Sequence, residues 1–208
     1  MARADERETA AVTADAARSA ELRRDKSAPM QKKVLPVEYR LVTPEPGLDN
    51  YWAAADVVVR ARALAVRPAF LHQERAATAF AAGEPLVPAD FEVIEVFKRS
   101  ATAAPVPRFV LMQVGSEAED ATTIYRVPDD VWVRIRQGSE YVLFLVRSMR
   151  AGLTDTLNPV GGPYGIYLLE GGRVTIGNGA KTGPVPTTSE LLARLRQLAG
   201  TSRRTPGA

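Results

Sequence analysis

Apolar and polar positions alternate through most of the centre of the chain. From Ala55 to Val66 (ADVVVRARALAV), Val57, Val59, Ala61, Ala63 and Ala65 share one side while Asp56, Arg60 and Arg62 lie opposite. That is the period of two expected of a half-buried strand. Shorter β-like runs follow at Phe91 to Phe97 (FEVIEVF), Phe109 to Val114 (FVLMQV), Ile124 to Val127, Val131 to Ile135 (VWVRI), Tyr141 to Val146, Tyr164 to Leu169 and Arg173 to Ile176. Most are rich in Val, Ile, Phe and Tyr, which fit a pleated surface. Turn signals separate them: Pro105 and Pro107, Pro128-Asp129-Asp130, Gly138, Gly161-Gly162-Pro163 and Gly171-Gly172. Tyr141 to Val146 is apolar without alternation, which marks a central strand covered on both faces by a core on one side and a helix or loop on the other.

The pattern changes at both ends. Beyond Pro184 and Pro186, Thr187 stands three residues before Glu190, the form of a capping box, and Leu191, Leu192, Leu195 and Leu198 recur at helical spacing. The spacing predicts a docked helix from Thr188 to Ala199, ended by Gly200. Residues 1–33 are mostly Ala, Arg, Asp and Glu, with no apolar stripe from which to build a core. Val34 to Val42 reads as an extended lead-in, and Pro68 to Pro88 as an insertion with a helical turn near Gln73 to Ala82.

These elements predict a mainly β chain organised as an N-terminal extension (1–47), a β-barrel domain with a C-terminal helix (48–199) and a basic tail (200–208). A closed or nearly closed antiparallel barrel is expected, because closure removes exposed strand edges. No apolar run approaches the roughly 18 to 20 residues that span a bilayer. The N-terminal stretch shows no apolar h-region of a secretory signal.

Charge alters the functional expectation. The chain carries a net +3, yet residues 48–180 hold thirteen basic and fifteen acidic residues, whereas residues 181–208 hold five and one. Nucleic-acid affinity comes from clustered cations, so a slightly acidic centre is a poor phosphate-binding surface. There is no cysteine, which excludes disulfides and thiolate chemistry.

Several residue groups invite a chemical reading, each beside a plainer one. His72, the single histidine, stands near Glu74 as a candidate general base; with no G-x-S-x-G elbow it reads as a solvated loop residue. Asp129-Asp130 and Glu117 to Asp120 lack the D-x-[DN]-x-[DN]-G calcium loop and read as turns, so no metal site and no cofactor are expected. Gly161-Gly162-Pro163 and Gly177-Asn178-Gly179 lack the Walker pattern and read as hairpin turns. Tyr51, Trp52, Trp132, Tyr164 and Tyr167 are candidates for a stacking platform, or else core. Arg60, Arg62, Arg134 and Arg136 alternate outward on two strands and, with Trp132, are the candidates for an anionic ligand; the plainer reading is a solvated sheet face.

The ordered set ADVVVRARALAV, FEVIEVFKRS, QGSEYVLFLVRS and YGIYLLEGGRVTI, closed by a Leu-rich helix, resembles small bacterial, especially actinobacterial, proteins of uncharacterised function. Their fold is similar to the OB-type barrel of netrin-like and tissue-inhibitor-of-metalloproteinase domains. The resemblance covers roughly residues 51–199. It implies a small OB-like barrel and a cell-envelope setting, with residues 1–47 as a spacer after a leader. It does not bring protease inhibition, because that mechanism chelates zinc through an N-terminal cysteine that this chain lacks. The function expected is a non-enzymatic binding or interaction module whose partner is a protein or an anionic ligand, with oligomeric state open. The alternative is a single-stranded nucleic-acid or other polyanion-binding OB-fold protein using the arginine face. A third reading, an enzyme with His72 as base, ranks below both.

Overall fold

The computed structural model describes residues 32–36, 47–72, 84–100, 107–128, 132–149, 152–177 and 186–202. The chain divides into two compact units, 1–33 and 34–208, and nearly all described residues belong to the second. The elements in chain order are β1 (Lys33–Pro36), α1 (Leu48–Ala54), β2 (Val57–Val66), β3 (Phe70–His72), β4 (Glu84–Arg99), β5 (Arg108–Val114), β6 (Glu117–Glu119), β7 (Thr123–Arg126), β8 (Glu140–Arg147), β9 (Leu157–Pro159), a 3-10 turn (Gly162–Gly165), β10 (Ile166–Glu170), β11 (Arg173–Ile176) and α2 (Thr188–Ser202). The protein is mainly β, as the alternation predicts. No described helix is long and apolar enough to cross a membrane.

The larger sheet runs in the order β11-β10-β8-β2-β4-β5-β9, with β3 paired to β4; β1, β7 and β6 form a second, three-stranded sheet. Strand β9 lies antiparallel to β8 over three residue pairs and parallel to β5 at one, Leu111↔Leu157. The pairings thus return from β5 through β9 and β8 to β2, but the closed barrel expected from the sequence is not formed. The seam is a strand of three residues, Leu-Asn-Pro, and its proline has no N–H to add to a ladder.

Strand β8 divides the interior as its sequence predicts. Tyr141, Leu143 and Leu145 face one cluster with Val59, Ala61, Ala63, Phe91, Leu111, Val133 and Ile135. Val142 and Phe144 face another, in which Tyr51 and Trp52 of α1 and Leu191, Leu192 and Leu195 of α2 cover the sheet. Burying a Leu- or Phe-sized side chain is worth about 1.5–3 kcal/mol, so these two layers dominate the stability of the fold. The capping box of α2 is reciprocal: Thr187 N donates to Glu190 Oε2 at 2.7 Å, and Glu190 N to Thr187 Oγ1 at 3.3 Å.

Several boundaries depart from expectation. The second unit begins at Val34 rather than at 48, and Leu35 packs with Tyr125 and Val127. Strand β4 starts at Glu84, before Phe91, and runs through Pro85 and Pro88. Both prolines lie where a neighbour has just ended: Arg67 N, past β2, donates to Pro88 O at 2.9 Å, and Gly115 N, past β5, donates to Pro85 O at 2.9 Å. A missing N–H at such a position interrupts no ladder. The helical turn expected at Gln73 to Ala82 lies outside the described residues. Helix α2 does not stop at Gly200 but continues to Ser202, because Gly200 is not among the glycines with positive φ and so makes no left-handed cap. The strand expected at Val131 to Ile135 is not formed: residues 132–136 belong to no strand, and Val131 lies outside the described residues.

Candidate functional site

Strand β5 carries Phe109, Leu111 and Gln113 on the face that meets the interior cluster. Where that cluster runs out, Gln113 is only 6% exposed. Beside it passes the segment 132–136, with Val133 and Ile135 buried in the interior cluster. Trp132 instead packs with Tyr125, Val127, Leu71 and Val114 in a smaller cluster. Gln113 Nε2 donates to Val133 O at 2.8 Å. That bond fixes the amide's orientation and turns its carbonyl oxygen away. Gln113 Oε1 is buried and has no hydrogen-bond partner. An unsatisfied buried acceptor costs about 1–3 kcal/mol, so the folded chain carries this group at a loss.

The far end of the segment is fixed as firmly. Arg136 N donates to the Tyr141 hydroxyl at 2.8 Å, and Ser139 N to Arg136 O at 3.2 Å. The turn after it is tied to β2 by Gly138 N on Ala63 O at 2.8 Å and Ala63 N on Ser139 O at 3.0 Å. Gly138, with φ of 82°, occupies a conformation that other residues adopt at a cost. Between β2, β4, β5 and this segment opens a cleft of about 600 Å³, lined among others by Arg67, Val87, Gln113, Trp132, Arg134 and Gln137. Its edge depends on Gly115, where a Cβ would stand 2.6 Å from Val87 Cγ2.

The four arginines singled out by their outward alternation do not share one environment. Arg60 Nε donates to Glu140 Oε2 at 2.9 Å and Arg62 Nη2 to Glu140 Oε1 at 2.8 Å. The hydrogen bonds from Arg62 and Arg60 hold the Glu140 carboxyl below the usual carboxylate range, against the opposing effect of burial. Arg136 faces Glu170 at 3.3 Å. Arg67, which the alternation did not mark, makes a two-point ion pair with Asp90, Nε to Oδ2 at 2.9 Å. Arg134 differs from all of them: it is exposed on the cleft and has no hydrogen bond or ion pair among the described residues.

The other candidates disperse. Tyr51, Trp52 and Tyr167 are buried in the helix-covered core, and Tyr164 packs against it, so the five aromatics form no platform; Trp132 alone reaches the cleft. His72 is not a solvated loop residue: it lies in β3, half-buried and opposite Glu84 of β4, because the supposed loop is a strand pair; Glu74 lies outside the described residues. Asp120 accepts from Thr122 N at 2.8 Å and Thr123 N at 2.7 Å and closes the β6–β7 turn, while Asp129 and Asp130 lie outside the described residues. Among the described residues no group of three or more metal-ligating side chains occurs. Gly161 and Gly162 have φ of 63° and 62° at a turn, and Gly177 follows β11; Asn178 and Gly179 lie outside the described residues.

Gln113 belongs to no motif, and its one signal in the sequence is an amide inside FVLMQV, on the same face as Phe109 and Leu111. No family model matches the chain, and no curated protein matches it.

Proposed function

We propose that the chain is a non-enzymatic binding module on an OB-type, netrin-like barrel, with the cleft framed by Gln113, Trp132 and Arg134 as its ligand seat. Support for the OB-type reading comes from the pairing circuit of β2, β4, β5, β9 and β8, since such domains are partly open five-stranded barrels. The observation that carries the ligand seat is the partnerless carbonyl oxygen of Gln113 beside an arginine with no carboxylate of its own and a half-buried indole. Binding sites are concave, mostly apolar and furnished with a few convergent polar groups. The polyanion alternative has less support, because Arg60, Arg62 and Arg136 already face carboxylates.

The chain's two tryptophans give a direct test. With fluorotryptophan incorporated, fluorine NMR reads Trp52 in the core and Trp132 at the cleft, assigned with Trp52→Phe. Titrating short peptides, oligosaccharides, oligonucleotides and inorganic phosphate should yield a class that moves the Trp132 resonance saturably, leaves that of Trp52 in place and is recovered chemically unchanged. Conversion to a product, or binding that never touches Trp132, would overturn the reading.

A further inference from the structure

Gln113 is held so that its remaining polar atom can only accept. Its Nε2 donates to Val133 O at 2.8 Å. Turning the amide over would bring two oxygens together at about that distance, so the orientation is fixed. Its Oε1 is buried and has no hydrogen-bond partner, and the residue lines the cleft. Such an acceptor takes an N–H or O–H and turns away an ether, a carbonyl or a carboxylate, none of which can donate. Charge narrows the choice further. The guanidiniums of Arg67 and Arg134 line the cleft, and among the described residues no carboxylate lines it. Asp90 offsets Arg67, so Arg134 leaves the cleft positive, and an ammonium or amidinium group would enter against that charge.

We propose that Gln113 sets the specificity of the cleft, and that the occupant is an uncharged ligand whose hydroxyl or amide N–H donates to Gln113 Oε1. This rests on the reading of the cleft as the ligand seat and names the chemistry it selects. Because the oxygen is buried, the donor is a small group that reaches it as the side chains around it part. A ligand that brings the donor forms the bond that folding leaves unmade. One of the same shape without it keeps the oxygen unpaired. A site with a buried polar group of this kind discriminates by hydrogen bonding far more sharply than by size. Val66, Val87 and Ile135 line the cleft and offer an apolar wall to the rest of the ligand.

Probes that share one apolar body separate these chemistries: benzyl alcohol, benzyl methyl ether, benzylammonium and benzoate, each titrated into the full chain carrying fluorotryptophan. The alcohol should move the Trp132 resonance saturably and leave that of Trp52 in place. The ether and benzoate should bind about tenfold more weakly or worse, the loss expected when a buried acceptor stays unpaired. Benzylammonium should also bind more weakly than the alcohol, and Arg134→Ala should narrow that gap. Gln113→Met keeps the length of the side chain but offers only a weak sulfur acceptor, so the alcohol's advantage over the ether should shrink to within about twofold. Circular dichroism and the Trp52 resonance show whether that variant is folded; if it is not, the ranking of the probes on the unaltered chain decides. An ether bound as tightly as the alcohol, or a preference that survives Gln113→Met, overturns the role of Gln113 and leaves the seat standing. Benzoate bound most tightly overturns it too and puts an anion at Arg134. If none of these probes moves the resonance while a peptide, oligosaccharide, oligonucleotide or phosphate does, the proposal is overturned and the seat stands; if nothing moves it, both fall.

Discussion

Two glycines show how much a residue's neighbours decide. A Cβ on Gly165 would stand 2.4 Å from Val160 O and 2.9 Å from Val160 N, and would also crowd Phe144 O at 3.1 Å. All three are backbone atoms that cannot swing aside. Gly165→Ala should therefore cost about 2–4 kcal/mol, at the upper end for overpacking. Gly200, in contrast, has open space around it within α2, and Gly200→Ala should stabilise by about 0.5–1 kcal/mol. Urea midpoints of the two variants should move in opposite directions; equal shifts would mean the close approach at Gly165 is not there. Neither role was legible in the sequence. Gly161-Gly162-Pro163 announces a turn, but the atoms that exclude a side chain at Gly165 belong to Val160 and Phe144, whose proximity only the fold creates. Gln113 is the same kind of case: one amide in an apolar strand is visible, whereas its unpartnered oxygen depends on Val133, twenty residues on.

Among elements, those that carry their own signals were read well. Helix α2 has its cap and its leucine stripe within one short window, and both serve as expected, with Leu195 fully buried. Leu195→Asp places an unpaired charge against the helix-covered core and should cost several kcal/mol. A thermal midpoint within a degree or so of the wild type would show that the helix is solvated. Strand β8 was legible for a similar reason, since six consecutive apolar residues cannot leave either face to water. Helix α1 was not, because seven residues hold too little periodicity to register. It is held by the burial of Tyr51 and Trp52, and by Lys98, whose Nζ donates to Trp52 O at 2.6 Å and lies 5.8 Å from the Trp52 ring. The segment 132–136 failed in the opposite sense. Its alternation reports correctly which side chains are buried, but burial does not supply a neighbouring strand, and here the neighbour on the inner side is a glutamine side chain.

At the scale of the whole molecule, the alternation of apolar and polar positions foretold a mainly β chain and the apolar run of β8 foretold two layers of core. The closure expected from the strand pattern is not formed, because the circuit turns on β9, a three-residue strand whose contacts with β5 and β8 no local pattern encodes. The charge balance also acquired a mechanism. The near-neutral centre is near-neutral residue by residue, with Arg60 and Arg62 on Glu140, Arg67 on Asp90, Arg136 on Glu170 and Arg196 on Glu95. Exposed pairs of this kind contribute about 0–1 kcal/mol each to stability, but they leave little positive potential for a polyanion. What stands out against that background is Arg134 beside Gln113 and Trp132. The central claim is that the ligand seat is this cleft and not the arginine face, and a map of backbone amide shifts tests it most directly. Into the ¹⁵N-labelled full chain one titrates the probe that moves the Trp132 fluorine resonance. The largest shifts should fall at Gln113, Val133, Arg134 and Gln137, with Arg60 and Arg62 unmoved. Shifts centred on Arg60, Arg62 and Glu140, or confined to the basic tail, would contradict it.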